Sequence, residues 1–464
     1  MSLDTARATA ASVQARLISA QEVAAQAARR IEASQLNAVV NFDALEGAAD
    51  AADVDRRLAA GETLPLAGVP VLVKDNIWVK DRRITQGSLL FKDYAPQQDA
   101  IVVERLRHAG AVIMGMTNTP EFACKGLTNN KIYGPTLHPQ DPDLTPGGSS
   151  GGAVAAIAAG LTPLAIGTDA GGSSRRPAAH VGVVGFKPSF GALPYGPGFA
   201  EPFAGLSCIC PIAGDVADTT FLFEALAGPH VADPDTITIA NHDPNDTRLC
   251  VAFSPRFGLD ALVDDEVAET MERVVDALVS AGVTVLRRDP VWPQGATELA
   301  LMPLQHAGLA AIHGAAWRAN PDLFDPDVGA QIESGLGLDG VAVMRARLLS
   351  VEVARSIARL FSQIDILIGP TTPCAAWPWN RLGPELIGGA PASPRAHAAF
   401  TPLFNHARTP ALSLPCGRTS RGLPLGLQII AARGRDRRVL TAAAQFETIL
   451  DQSGLWNGLS LQSA

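Results

Sequence analysis

The chain has 464 residues, with 37 Lys+Arg against 46 Asp+Glu and a formal charge of −9. Hydrophobic residues make up 47% and charged residues 18%, which excludes a disordered chain and supplies a large buried core. The acidic balance and the dispersed Lys and Arg exclude a broad basic face for gripping nucleic acid.

From the N-terminus, residues 1–62 read as helices. Ser19 to Glu22 has the S-x-x-E form of a capping box, and apolar residues follow at Val23, Ala24, Ala27 and Ile31. Residues 69–73 form an apolar run that suits a buried strand and is too short for a helix. Residues 100–108 have a helical pattern that Ala109 and Gly110 end, and residues 111–114 are the next strand. A buried helix over 153–159, a strand over 164–166 and a helix entered at Pro177 continue the alternation.

Further on, residues 249–253 and 283–286 read as strands around a helix at 266–280. That helix sets Val267, Met271, Val274, Val275, Leu278 and Val279 on one stripe. Residues 364–368, 411–414 and 425–430 are later strands. No fixed repeat or long linker interrupts the chain. The expected fold is α/β, a single large domain with a mostly mixed, twisted central sheet covered by helices.

Six cysteines lie at 124, 208, 210, 250, 374 and 416, and the C-x-C pair lacks the neighbours of a zinc site. Free thiols in a reducing compartment are expected. The N-terminal residues contain no apolar signal core. The most apolar stretch, 151–167, is shorter than a membrane span and holds Pro163. A cytoplasmic location follows, with no membrane partner.

Three segments carry candidate chemistry: Gly68 to Asn76, where a Lys–Asp pair ends a strand; Gly147 to Gly152; and Gly167 to Pro177. Gly148 to Gly152 fits G-x-S-x-G, but a turn precedes it where a nucleophile elbow needs a strand. Neither Gly-rich segment has phosphate-loop spacing. The N–H groups of Ala170, Gly171, Gly172 and Ser173 are able to converge as a nest for an oxyanion. A base is still needed, and no histidine lies in these segments. A lysine serves only if burial lowers its ordinary value of about 10.4. Lys74, closing an apolar strand, meets that condition, while Asp75 points to the opposite side.

On these segments the sequence resembles the amidase signature family, whose hydrolases use a Ser–Ser–Lys triad. The matching motifs are Lys74 in its strand-end segment, Gly-Gly-Ser-Ser-Gly-Gly at 147–152 and Gly-Thr-Asp-Ala-Gly-Gly-Ser at 167–173, with Ser149 and Ser173 set 24 residues apart. The likeness is strongest over 66–195, the expected catalytic core, with the remainder completing sheet and pocket.

The resemblance implies that Ser173 is the nucleophile, that Ser149, entered through a cis bond from Gly148, relays the proton, and that Lys74 is the base. It implies oxyanion donors at Ala170, Gly171, Gly172 and Ser173, with Phe122 and Ala123 at the acyl pocket. It implies a small-molecule amide as substrate and no cofactor or metal, and it is compatible with a homodimer. Arg175 is expected to pair with Asp169. Arg176 matches a place where malonamide-cleaving members grip a carboxylate. The rival reading is the glutamine-hydrolysing component of an aminoacyl-tRNA amidotransferase complex. That component has an acidic residue for the glutamine ammonium where this chain has Ala398.

Overall fold

A computed structural model describes residues 5–203, 205–241 and 249–458. Helices α1 (Ala6–Gln14) and α2 (Ala20–Ala33) open the chain, and the Ser19–Glu22 capping box forms at the start of α2. The reading of residues 1–62 as helical needs one correction. Val39–Phe42 is a strand, β1, because its β-branched and aromatic residues pair antiparallel along β3 (Val112–Thr117). Helix α3 (Ala44–Ala59) follows, burying Gly47, Ala51, Val54 and Leu58 at helical spacing.

The expected alternation then appears. Strand β2 (Pro70–Lys74) precedes α4 (Ile101–His108) and β3; α5 (Gly151–Ala158) precedes β4 (Leu164–Asp169) and α6 (Arg175–Val181). Strands β5 (Val184–Lys187) and β6 (Cys208–Ala213) and helix α7 (Val216–Leu226) complete the first half.

In the second half, β7 (Val251–Phe253), α8 (Asp265–Ser280) and β8 (Val285–Arg287) form the βαβ unit. The α8 stripe is buried from Val267 to Leu278, but Val279 is exposed, since twelve residues of helix rotate it about 120° from Val267. Three long helices follow, α9 (Glu298–Ala319), α10 (Pro326–Leu336) and α11 (Gly340–Leu360). After them come β9 (Ile366–Pro370), a hairpin of β10 (Leu386–Ile387) and β11 (Ala390–Pro391), α12 (Pro402–His406), β12 (Ala411–Arg418), β13 (Pro424–Ile430) and α13 (Asp436–Gln452).

Among the described residues, eleven strands make one mixed sheet in the order β1-β3-β2-β4-β6-β5-β12-β13-β9-β7-β8. Strand β2 runs parallel to both β3 and β4, deep in the sheet, and all five of its residues are buried. Alternation along β2 places Val71 and Val73 in the core under α4, α7 and α13, and Leu72 in the core under α2, α3 and α5. Lys74 continues the Leu72 face, toward α5. No helix among the described residues is long and apolar enough to cross a membrane.

Candidate active site

Parallel strands β2 and β4 end side by side, and register sets Val73 opposite Ile166. Lys74 and Thr168 therefore meet at the carboxyl edge of the sheet, where open α/β sheets gather ligands. Helix α5 must bring its N-terminal serines to the same edge. Its Gly152 makes that approach possible: a Cβ there would lie 2.4 Å from Asn118 N and 2.7 Å from Ala38 O.

Lys74 is fully buried, and its Nζ reaches three hydroxyls: Ser149 Oγ at 2.7 Å, Ser150 Oγ at 2.9 Å and Thr168 Oγ1 at 3.0 Å. Burial brings its pKa down to about 7. Asp75 does point away, accepting from the Thr85 N–H at 3.0 Å and from the Thr85 hydroxyl, and burial pushes it up to about 7. The lysine thus has hydroxyl neighbours in place of a carboxylate. The Gly148–Ser149 peptide is cis.

Ser149 is fully buried and Ser173 is 8% exposed; both face one narrow cavity with Ala170, Phe122 and Ala123. The Ser150 N–H donates to Ser173 O at 2.9 Å, joining the two serine loops. Phe122 and Ala123 both have positive φ, 51° and 59°, which turns this short segment into the cavity wall. His313 of α9 stacks on Phe122 with ring centroids 3.9 Å apart.

The loop at 170–173 departs from expectation at Gly172. Its N–H donates to Asp169 Oδ1 at 2.7 Å, so it is not free for an oxyanion. Among the described residues, the N–H groups of Ala170, Gly171 and Ser173 have no such partner. Asp169 also accepts from Ser174 N and, through two bonds of 3.0 Å, from the Arg175 guanidinium. Burial alone would raise that carboxyl, but Arg175 holds it well below the usual carboxylate range. Arg175 continues to Thr401 O and Gln428 Oε1, and the Thr401 hydroxyl donates to Gly171 O at 2.8 Å. Gly172 has φ 113°, and a Cβ there would sit 2.0 Å from Thr401 Oγ1, so only glycine fits.

Arg176 is absent from the wall of the serine cavity. It lies behind Gly172, 4% exposed, its Nε and Nη1 without a partner among the described residues. Burial brings it down to about 10, so it remains a cation at neutral pH. Thr168 is a site residue that sequence reasoning did not single out, and Ser150 was weighed there only as the serine of a nucleophile elbow. Both lay inside the motifs read, but only the packing of α5 on β2 and β4 shows that they touch the lysine. The cysteines are free thiols; Cys250 is part-exposed and the other five are buried.

Residues 22–440 match the family model described as Amidase. The chain belongs to the amidase signature family. It is 35% identical to an acylamidase of Rhodococcus erythropolis over 95% of this chain and 94% of that one. It is likewise 35% identical to one component of the glutamyl-tRNA(Gln) amidotransferase of Moorella thermoacetica, over 93% of each. Among solved structures, a bacterial aryl acylamidase of this family superposes with a TM-score of 0.90 at 27% identity, covering 99% of both chains. A 6-aminohexanoate cyclic dimer hydrolase gives 0.83 at 28%, over 96% of this chain and 97% of that one. The protein is a hydrolase of amide C–N bonds, with the single-domain mixed-sheet fold of amidase signature structures.

Proposed function

We propose that this amidase cleaves a small-molecule carboxylic acid amide through a Ser173 acyl-enzyme, with Ser149 and Lys74 as the proton relay. The observation that carries the reading is Lys74 Nζ, buried and 2.7 Å from Ser149 Oγ, with Ser149 and Ser173 on one cavity wall.

Hydrogen-bond accounting supports one direction of proton flow. A neutral amine has two N–H donors and one lone pair. The Ser150 hydroxyl donates to Thr168 O at 3.1 Å, so toward Lys74 it accepts. Thr168 Oγ1 takes a donor from Asn76 Nδ2 at 3.1 Å and a second from Lys74. Both amine N–H groups are then directed at Ser150 and Thr168, leaving the lone pair for the Ser149 hydroxyl. Ser149 gives its proton to Lys74 and receives one from Ser173 as the latter attacks the carbonyl carbon. The developing oxyanion meets the N–H groups of Ala170, Gly171 and Ser173. As the C–N bond breaks, Ser149 returns a proton to the leaving nitrogen, and water repeats the cycle to release the acid.

Relatedness to the amidotransferase component favours glutamine hydrolysis as a second reading. Against it, Ala398 is fully buried and offers only a methyl group where an acidic residue would hold the glutamine ammonium. Ser173→Ala and Lys74→Ala, each assayed for acid and amine release from neutral amides, should fall by roughly 1,000-fold or more while the fold persists. Near-normal turnover in either variant refutes the relay. Glutamine hydrolysis faster than that of every simple amide would favour the second reading.

A further inference from the structure

The far side of the 170–171 loop opens on a second, narrow cavity between that loop, α9 and α12. It shares Ala170 and Phe203 with the serine cavity, so the two adjoin across the residues that would hold the oxyanion. Their chemistry differs. The serine cavity is faced by Phe122, Tyr195, Phe199 and Phe203. The carboxylate on its wall, Glu201, already accepts from Phe203 N, Gly205 N and the Ser207 hydroxyl. That side suits an uncharged, apolar acyl group.

The second cavity has Arg395 and Glu298 on its wall, joined as an ion pair. Glu298 engages Nη2 of Arg395, whose buried Nε has no partner among the described residues. Arg176 adds a second cation behind Gly172: a Cβ on that glycine would lie 3.2 Å from Arg176 Nε, and both Nε and Nη1 are buried without a partner. Glu298 pairs with Arg395, and among the described residues three nitrogens, Arg395 Nε and Arg176 Nε and Nη1, have no acceptor. Buried cations left this way favour an incoming anion. Leu206, Leu301 and Leu304 line the approach and suit a short methylene chain.

We infer that this second cavity is the leaving-group subsite and that it receives an amine bearing a carboxylate. The preferred substrates are then N-acyl amino acids, with the apolar acyl group at the aromatic wall and the amino acid carboxylate on Arg395. The inference rests on the Ser173 acyl-enzyme reading. The acyl carbon forms its bond to Ser173 Oγ as its bond to nitrogen breaks, and Ser149 protonates the departing amine.

The test is a series of N-benzoyl derivatives of glycine, β-alanine and 4-aminobutyrate, each paired with the N-alkylbenzamide of equal length. Amine release gives kcat/KM for each pair. At least one acidic member should exceed its neutral partner by about tenfold, the worth of one partly buried charge pair. Arg395→Met should bring that ratio to about one, and Glu298→Gln, which removes the competing carboxylate, should raise it. Parity at every length, or a preference that survives Arg395→Met, overturns the subsite. If none of these amides turns over, the Ser173 acyl-enzyme reading is judged on other amides and the subsite by binding. Binding of the same N-benzoyl amino acids to Ser173→Ala protein then decides the subsite: weakening of about tenfold in Ser173→Ala/Arg395→Met upholds it, and no weakening overturns it.

Discussion

Lys74 gives up its hydration shell at the end of a strand with no carboxylate beside it, and three hydroxyls are what it receives in exchange. Its folded pKa of about 7 lies far below its ordinary value, so between these limits the folded chain binds fewer protons than the unfolded one. Stability from this site is therefore present above the unfolded value and lost as pH falls toward 7. Lys74→Met should stabilise the fold at pH 7 by on the order of a few kcal/mol in denaturant unfolding, and the gap should close as pH approaches about 10. A gap that widens with pH would show the lysine to be charged and paired. Activity has the same origin: hydrolysis should rise with pH through one ionisation near 7, as the amine becomes able to accept from Ser149. Thr168→Val removes one acceptor that favours the ammonium, so the midpoint should move below 7 while kcat falls roughly tenfold, as for one buried hydrogen bond. An unmoved midpoint would leave Thr168 a packing residue. Lys74, Ser149 and Ser173 were readable because each sits in a short motif; the Thr168 contact was not, since it depends on the register of β4 against β2.

At the scale of elements, the loop between β4 and α6 is held by one buried cation. Arg175 and Asp169 are both fully buried, and Arg175 reaches Thr401 O ahead of α12 and Gln428 on β13. Asp169 in turn fixes the N–H groups of Gly172 and Ser174. Removing the guanidinium leaves a buried carboxylate unpaired and frees the loop that presents Ser173. Arg175→Met should destabilise the fold by about 3–5 kcal/mol, read by denaturant unfolding, and should lower kcat more than it raises KM. A loss under about 1 kcal/mol would show that Asp169 finds another partner. The Arg175–Asp169 pair was legible from adjacent motif residues; its partners more than 220 positions away were not. The helices were unevenly legible for a similar reason. Helix α8 shows a single apolar stripe, whereas α9 spreads apolar residues around its circumference, with Leu299 exposed and Leu301 and Leu304 buried. One face packs on α10 and another meets the second cavity, so its pattern has no single period to read.

For the whole molecule, the motifs lie within 66–195, yet the sheet runs on from β5 directly to β12 and β13. Residues 411–413 pair with 185–187, and α9 and α10 close over Phe122. The sequence shows where the reactive groups lie and that strands alternate with helices, but strand order depends on pairings across more than 200 residues, which local periodicity does not encode. It follows that the motif-bearing region is not a unit of its own. A fragment ending at residue 241 would expose the β5 edge, the apolar face of Phe186 and Leu412's vacated place beside it, and would leave Arg175 without Thr401 and Gln428. Such a fragment should show no cooperative unfolding transition and no amide hydrolysis, and adding residues 242–464 as a separate chain should restore both. Cooperative unfolding and turnover by the fragment alone would mean that the far half of the sheet is dispensable to the catalytic edge.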